Sequence, residues 1–183
     1  MNQLYHVFAY LKKYYNYELV LDPSYQVIYQ YEFECQDWNS SDFDHVYSKE
    51  DLPPNMPTIH GLGFMVMARV DIDHARDTVT MRSITRFIIY INSELVYWIP
   101  KKHISCESSY FGSEFVAMKY CCKYIHRLQL KLPMMSIKVY GSAYIFDNNK
   151  YVIFNTTTMD YMLKKKSQSI AYHLVQEGAT RNE

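Results

Sequence analysis

The chain is 183 residues long and carries 19 Lys and Arg against 19 Asp and Glu, a formal net charge of zero with its seven histidines left aside. That balance excludes a polybasic arm or histone-like tail, because a field strong enough to hold nucleic acid or a membrane surface needs excess charge; any basic surface must be local. A hydrophobic fraction of 49% with 21% charged residues excludes a disordered chain and predicts one compact domain plus an extension, while only five Gly beside 19 Tyr leave few sites for tight turns.

From the N-terminus, Leu4, Val7, Phe8 and Leu11 recur at helical spacing and predict an amphipathic helix over Gln3 to Tyr15. Lys12 and Lys13 stand at its C-terminal end, where positive charge suits the helix dipole. Tyr14 to Leu21 turns extended, and after the Asp22-Pro23 breaker Val27, Tyr29, Tyr31, Phe33 and Cys35 alternate with Ile28, Gln30, Glu32 and Glu34, the period of a half-buried strand. Gln36 to Pro57 loses all periodicity, is rich in acids and ends in Pro53, Pro54 and Pro57; it reads as a linker. The division expected is therefore 1–57 and 58–183.

Beyond the linker, Phe64 to Val70 is an apolar strand ending in Asp71-Ile72-Asp73. Ile84 to Ile91 and Leu95 to Ile99 are two more, joined by a hairpin at Asn92-Ser93-Glu94, so three antiparallel strands follow directly. Phe111, Phe115, Met118, Cys122 and Ile125 continue at helical spacing into Leu128 and Leu132, predicting a long helix that Pro133 stops. Ser136 to Phe146 reads as a fourth strand and Lys150 to Met162 as a helix weakened by three consecutive threonines. A last helix over Ser167 to Glu177 carries Ile170, Leu174 and Val175. The expected class is α/β, bordering on α+β.

No run approaches the roughly 18 apolar residues of a membrane span, and no basic start leads into an apolar stretch, so neither membrane association nor secretion by that route is expected. Four cysteines without a C-x-x-C pair suit a reduced intracellular compartment, cytoplasm or nucleus. Cys122 and His126 share a helix face, but two further zinc ligands are missing and zinc is set aside.

Three acids remain as chemistry: Asp71 at the end of the first strand, Glu114 on the long helix, and Asp147 at the end of the fourth strand beside Asn148. Carboxylates converging from two strands and a covering helix make an oxygen cage suited to Mg²⁺, and two such ions clamp both oxygens of a phosphodiester under attack. Acids at element ends also occur simply as solvated side chains.

The order of motifs adds weight to the first reading. Asp71-Ile72-Asp73-His74-Ala75-Arg76-Asp77, followed by Arg82-Ser83-Ile84-Thr85, resembles the D-x-D-x-A-G-D and R-S-x-T-G-F opening of the RNase H domain in copia-type retrotransposon polyproteins. Tyr97-Trp98-Ile99-Pro100-Lys101-Lys102 resembles W-x-S-K-K-Q, and Phe111-Gly112-Ser113-Glu114-Phe115-Val116-Ala117 resembles the family's E-Y/F-x-A helix. Leu163-Lys164-Lys165-Lys166-Ser167 then precedes Ser169-Ile170-Ala171-Tyr172-His173, and Phe8-Ala9-Tyr10-Leu11-Lys12-Lys13 is similar to the segment where reverse transcriptase ends.

The resemblance implies an RNase H-like mixed sheet flanked by helices, cutting the RNA strand of an RNA–DNA hybrid with four carboxylates and two Mg²⁺ ions. Asp71 matches the first carboxylate and Glu114 the second. The third belongs to a G-D-N-Q motif, which puts Asp147 on its Gly and Asn148, a neutral amide, on its Asp; Asp147 is the available substitute. The motif that would bring the fourth carboxylate, with the last strand and helix, does not occur before Glu183. Family glycines are replaced by Arg76 and Arg86, where strain is expected. Lys101, Lys102, Lys164, Lys165 and Lys166 are candidates for hybrid phosphates, or a solvated basic face. The expected function is a polyprotein fragment, reverse-transcriptase tether plus truncated RNase H domain, impaired in hydrolysis and once packed against the polymerase portion. An active Mg²⁺ nuclease using Asp147 and a non-catalytic hybrid-binding or interaction module are the alternatives.

Overall fold

The computed structural model of the chain describes residues 2–16, 24, 28, 53–104, 106–157 and 169–180. Helix α1 (Asn2–Lys13) forms where the apolar spacing predicts it, with Lys12 and Lys13 in its last turn. Tyr5, Phe8, Tyr10 and Leu11 are all exposed on it. The strand expected over Val27 to Cys35 and most of the Gln36 to Pro57 linker fall outside the described residues.

The elements that follow are β1 (His60–Phe64), β2 (Val66–Asp73), β3 (Ile84–Ile91), β4 (Glu94–Lys102), α2 (Tyr110–Met134), β5 (Ile137–Val139), β6 (Tyr144–Phe146), α3 (Lys150–Thr157) and α4 (Ser169–Thr180). Among them β4, β3, β2 and β6 form one sheet in that order, antiparallel across β4–β3–β2 and parallel between β2 and β6, while β1 and β5 make a separate parallel pair. A mixed sheet with helices is an α/β fold. The expected antiparallel trio is present, and β3 has the predicted bounds.

Two expected strands are each broken in two, and Asp71 lies within β2 rather than at its end. The first break, at Met65, is held by Asn92 in the β3–β4 turn. The Asn92 Oδ1 accepts the Met65 N–H at 2.9 Å, and the Asn92 N–H donates to the Met65 carbonyl at 2.8 Å. An interrupted ladder leaves a backbone amide and carbonyl needing partners, and one buried asparagine supplies both. The second break, at Tyr140 to Ala143, contains Gly141 at a φ of +68°. Facing it is Gly63, where an added Cβ would come within 2.8 Å of the Tyr140 Cβ; two backbones approach too closely there for any other residue.

The β3–β4 connection is a two-residue loop, Asn92-Ser93, with Ile91 opposite Glu94, and the pairing slips at Val96 so that Ile89 faces Tyr97 while Tyr90 faces Leu95. Asn92 takes a φ of +56°, a conformation asparagine tolerates better than most residues.

Alternation divides β2 from Ala68 onward, while Met67 on its other side is buried as well. Val66, Ala68, Val70 and Ile72 join Phe87 and Ile89 of β3 in the core, where Phe115, Ala117, Met118, Cys121 and Ile125 of α2 cover them. Ser109 caps α2, its side chain accepting the Gly112 N–H at 3.1 Å. Pro133 sits inside the last turn, one residue before the end, and just beyond it the chain closes by the short bonds Met135 N–H to Leu132 and Ser136 N–H to Pro133.

Helix α4 packs on the core with α2 through Tyr172 and Val175, with the Phe115 and Tyr172 rings 5.9 Å apart; Ala171 is also buried, and Ile170, expected inside, is exposed. Helix α3 ends at Thr157, and 158–168 lie outside the described residues. No described helix is long and apolar enough to cross a membrane.

Asn92→Ala removes the bonding side chain and keeps an unfavourable φ, whereas Asn92→Gly loses the side chain but accepts the φ. The expected cost is about 2–3 kcal/mol for alanine and about 1 kcal/mol less for glycine, read as the order of midpoints in urea unfolding.

Candidate functional site

Three acids reach one region by three routes. Asp71 alternates away from the core side of β2, between Arg69 and Asp73, and is exposed. Glu114 lies in the first turns of α2 and is fully buried, and both of its carboxylate oxygens lack a hydrogen-bond partner. Asp147 follows β6 directly; its Oδ1 accepts the Asn149 N–H at 2.7 Å, while its buried Oδ2 has no partner. That turn is built in relay, since Asn149 Oδ1 in turn accepts the Tyr151 and Val152 N–H groups at the start of α3. Asn148, by contrast, is exposed.

The electrostatics tie these groups together. Burial pushes the Glu114 carboxyl up to about 7, and the charges of Asp147 and Asp71 push the same way. Asp147 is raised by its own burial and by Asp71. The Tyr110 phenol is pushed up to about 12 by the adjacent Glu114 carboxylate and by burial. Tyr110 comes near Glu114 without a well-formed hydrogen bond, because the two Glu114 oxygens stay unpartnered. The three carboxylates thus share one field, yet among the described residues no three or more His, Cys, Asp or Glu side chains are gathered closely enough to hold a metal ion.

The basic candidates are engaged within the chain. The Lys101 ammonium lies 3.9 Å from the centre of the Tyr120 ring on the α2 side of the sheet, and Lys102 forms an ion pair with Asp77. Lys102 holds the Asp77 carboxyl well below the usual range, helped by the Thr80 and Val79 N–H groups that Asp77 accepts. Lys164, Lys165 and Lys166 lie outside the described residues.

Arg76 and Arg86 are not strained. Neither has a positive φ, and both guanidiniums bind Asp73 Oδ2, at 2.7 and 3.0 Å. The left-handed residues in that loop are Ala75, at a φ of +50°, and Met81, at +52°. Arg69 lies 5.8 Å from the Phe146 ring, and between Arg69, Asp71, Arg86 and Ile88 opens a shallow pocket of about 140 Å³.

Beside Glu114 sits a polar group whose members lie inside the quoted motifs but are given no role there. His74 Nδ1 is 2.9 Å from Ser113 Oγ and 3.3 Å from Ser83 Oγ, the two hydroxyls are 3.1 Å apart, and Ser83 Oγ accepts the Ala75 N–H at 3.1 Å. Its signal in the sequence is membership of those motifs: His74 is three residues after Asp71, Ser83 follows Arg82, and Ser113 immediately precedes Glu114. In comparison with known proteins, the chain matches no family model and no curated sequence.

The raised Glu114 carboxyl makes stability depend on pH. The folded chain keeps this proton up to about pH 7, whereas the unfolded chain releases it near 4.5, so stability is full below 4.5 and falls as pH rises to 7. At most about 3 kcal/mol is involved. His103, buried and held below its ordinary value by that burial, acts oppositely: it loses stability as pH falls below about 6.5. In EDTA, Glu114→Gln is expected to raise the melting temperature at pH 8 and remove the larger part of the decline between pH 4.5 and 7, leaving the smaller contribution of Asp147, raised by its burial, and the His103 decline on the acid side.

Proposed function

We propose that this chain is a fragment of a copia-type retrotransposon polyprotein, with an RNase H-like domain over 58–183 whose hydrolysis of RNA–DNA hybrid is impaired. The observation that carries the reading is the buried carboxylate of Glu114, with neither oxygen hydrogen-bonded and two more carboxylates acting on it electrostatically. Leaving a carboxylate in that condition is costly, and a cation is the partner that would offset the cost. The motif order supports the same reading, since three antiparallel strands, a helix and a parallel fourth strand are what bring residues so far apart in sequence into one electrostatic field.

Glu114, Asp147 and Asp71 are the acids the reading assigns to Mg²⁺, but as they stand they do not fit it, because among the described residues no three such side chains come close enough together to hold an ion. Other features limit the chemistry further. Asp71 stands on the opposite side of β2 from α2, Asn148 contributes no charge, and Arg76 and Arg86 concentrate positive charge at Asp73, two residues from Asp71, where it opposes an incoming cation. The exposed Tyr5, Phe8, Tyr10 and Leu11 of α1 suit packing against a polymerase portion. An intracellular element product is the setting this implies.

A second reading, an active nuclease, is favoured by one fact: Asp147, not Asn148, turns an unpartnered oxygen into the buried region. With labelled RNA–DNA hybrid in 5 to 10 mM Mg²⁺, about the usual assay range, cleavage is expected at least about 100-fold below that of an intact two-ion site. Cleavage at full rate that Asp71→Asn and Asp147→Asn each abolish would replace the impaired reading with the active one. Salt-sensitive hybrid binding with no cleavage in Mg²⁺ or Mn²⁺ would replace both with the binding module.

A further inference from the structure

The connection from β4 to α2, residues 103–109, is anchored by one side chain. His103 is 1% exposed, whereas the next residue, Ile104, is 78% exposed, and among the described residues of the connection no other is buried. Its printed ties to the rest of the chain are two: the His103 N–H donates to the Ser83 carbonyl at 2.9 Å, and the exposed Cys106 thiol donates to the Met81 carbonyl at 3.2 Å. Lys102, just before it, ends β4 in its ion pair with Asp77, and Ser109 at the far end caps α2.

The surroundings of the imidazole suit a neutral ring. Nε2 lies 2.5 Å from Thr85 Oγ1, a fully buried hydroxyl that can give or take a proton, and the Tyr120 ring of α2 is centred 6.4 Å away. Nδ1 is buried with no partner. A neutral imidazole can leave that nitrogen as a lone pair, but an imidazolium carries a proton on both nitrogens and would bury an N–H with no acceptor together with a charge. Of the charged groups that face it, Lys101 on β4 and His74 after β2 oppose a further positive charge, while Glu107 in the connection favours one. Burial outweighs Glu107, so the ring is held below the ordinary histidine range.

We infer that His103 is a pH-operated latch on this connection: neutral, it holds the segment against Thr85; protonated, it leaves the interior and releases the segment while the sheet and α2 stay folded. Release is local because the connection gives no residue to the apolar core, where Phe87 and Ile89 of β3 meet Phe115, Ala117 and Met118 of α2 without it. Freeing His103 uncovers one ring and one buried hydroxyl and parts one buried backbone bond, which costs far less than opening that core. The released ring takes a proton near the ordinary histidine value of about 6.5, so the released share rises up to about tenfold for each pH unit below it. The latch needs no bound cation and is independent of the nuclease reading.

Amide hydrogen exchange of the full chain, followed by NMR between about pH 7.5 and 5 and corrected for the intrinsic pH dependence of exchange, is the test. Protection of the His103 amide is expected to fall by up to about tenfold per pH unit below about 6.5, while the amides of Ile89 in β3 and Met118 in α2 keep theirs. His103→Gln, which does not titrate and can still bond Thr85, is expected to hold the amide at position 103 protected throughout. Loss of protection at all three amides together, unchanged protection of His103 down to about pH 5, or a release that persists in His103→Gln overturns the latch. Should that variant fail to fold, titration of the His103 ring in the unaltered chain decides: a midpoint well below about 6.5 supports the latch, and one at or above it overturns the latch.

Discussion

The packing of α2 across the apolar side of β2 and β3 is the constraint from which the rest of the molecule follows. Phe115, Ala117, Met118, Cys121 and Ile125 cover Val66, Ala68, Val70, Ile72, Phe87 and Ile89, and each large side chain removed from water contributes about 1.5–3 kcal/mol. That sum far exceeds the roughly 3 kcal/mol by which burial disfavours the ionised Glu114. A helix seated by Phe115 must carry its neighbour Glu114 inside as well. The unusual chemistry of the site is therefore a by-product of a strong apolar contact one residue away, and the unpartnered carboxylate is stable because the fold can bear it.

The same contact explains why the polar residues nearby are arranged with so little slack. Once the start of α2 is pressed against the end of β2, Ser113 and Ser83 lose access to water and have to satisfy one another and His74. On the opposite side of the sheet, where the strands expose Arg69, Asp71 and Arg86, charges can meet solvent, and Asp73 gathers Arg76 and Arg86 through exposed ion pairs of small energetic weight. Two neighbouring positions of one strand, Asp71 and Ile72, thus belong to different electrostatic worlds because alternation sends them to different sides of the sheet.

Much of the architecture was legible along the chain. The Ile84–Ile91 strand, the long helix and the antiparallel trio came directly from period and β-branched content, since these elements are long and their burial is one-sided. The breaks at Met65 and at Tyr140 to Ala143 were not legible, because an interruption inside an apolar run is stabilised by a distant partner: Asn92 for the first, the Gly63 approach for the second. Helix α4 turned Ala171 and Tyr172 inward rather than Ile170 for a similar reason, as its orientation is decided by the surface of α2 that receives it. The expected strain at Arg76 and Arg86 failed because a glycine in a related pattern marks a position, not a backbone angle, and the left-handed angles of this loop fall to Ala75 and Met81.

For the candidate site, the sequence by itself determined which strands and which helix carry Asp71, Glu114 and Asp147, because period and alternation are local properties. Only the tertiary structure decided which of Asp147 and Asn148 turns inward, that Lys101 and Lys102 are occupied by Tyr120 and Asp77, and that His74 meets Ser113. Those outcomes depend on burial and on pairings between residues dozens of positions apart. Desolvation and hydrogen-bond direction exist only once the elements have closed on each other, so a one-dimensional pattern carries the ingredients of this site but not its protons or its partners.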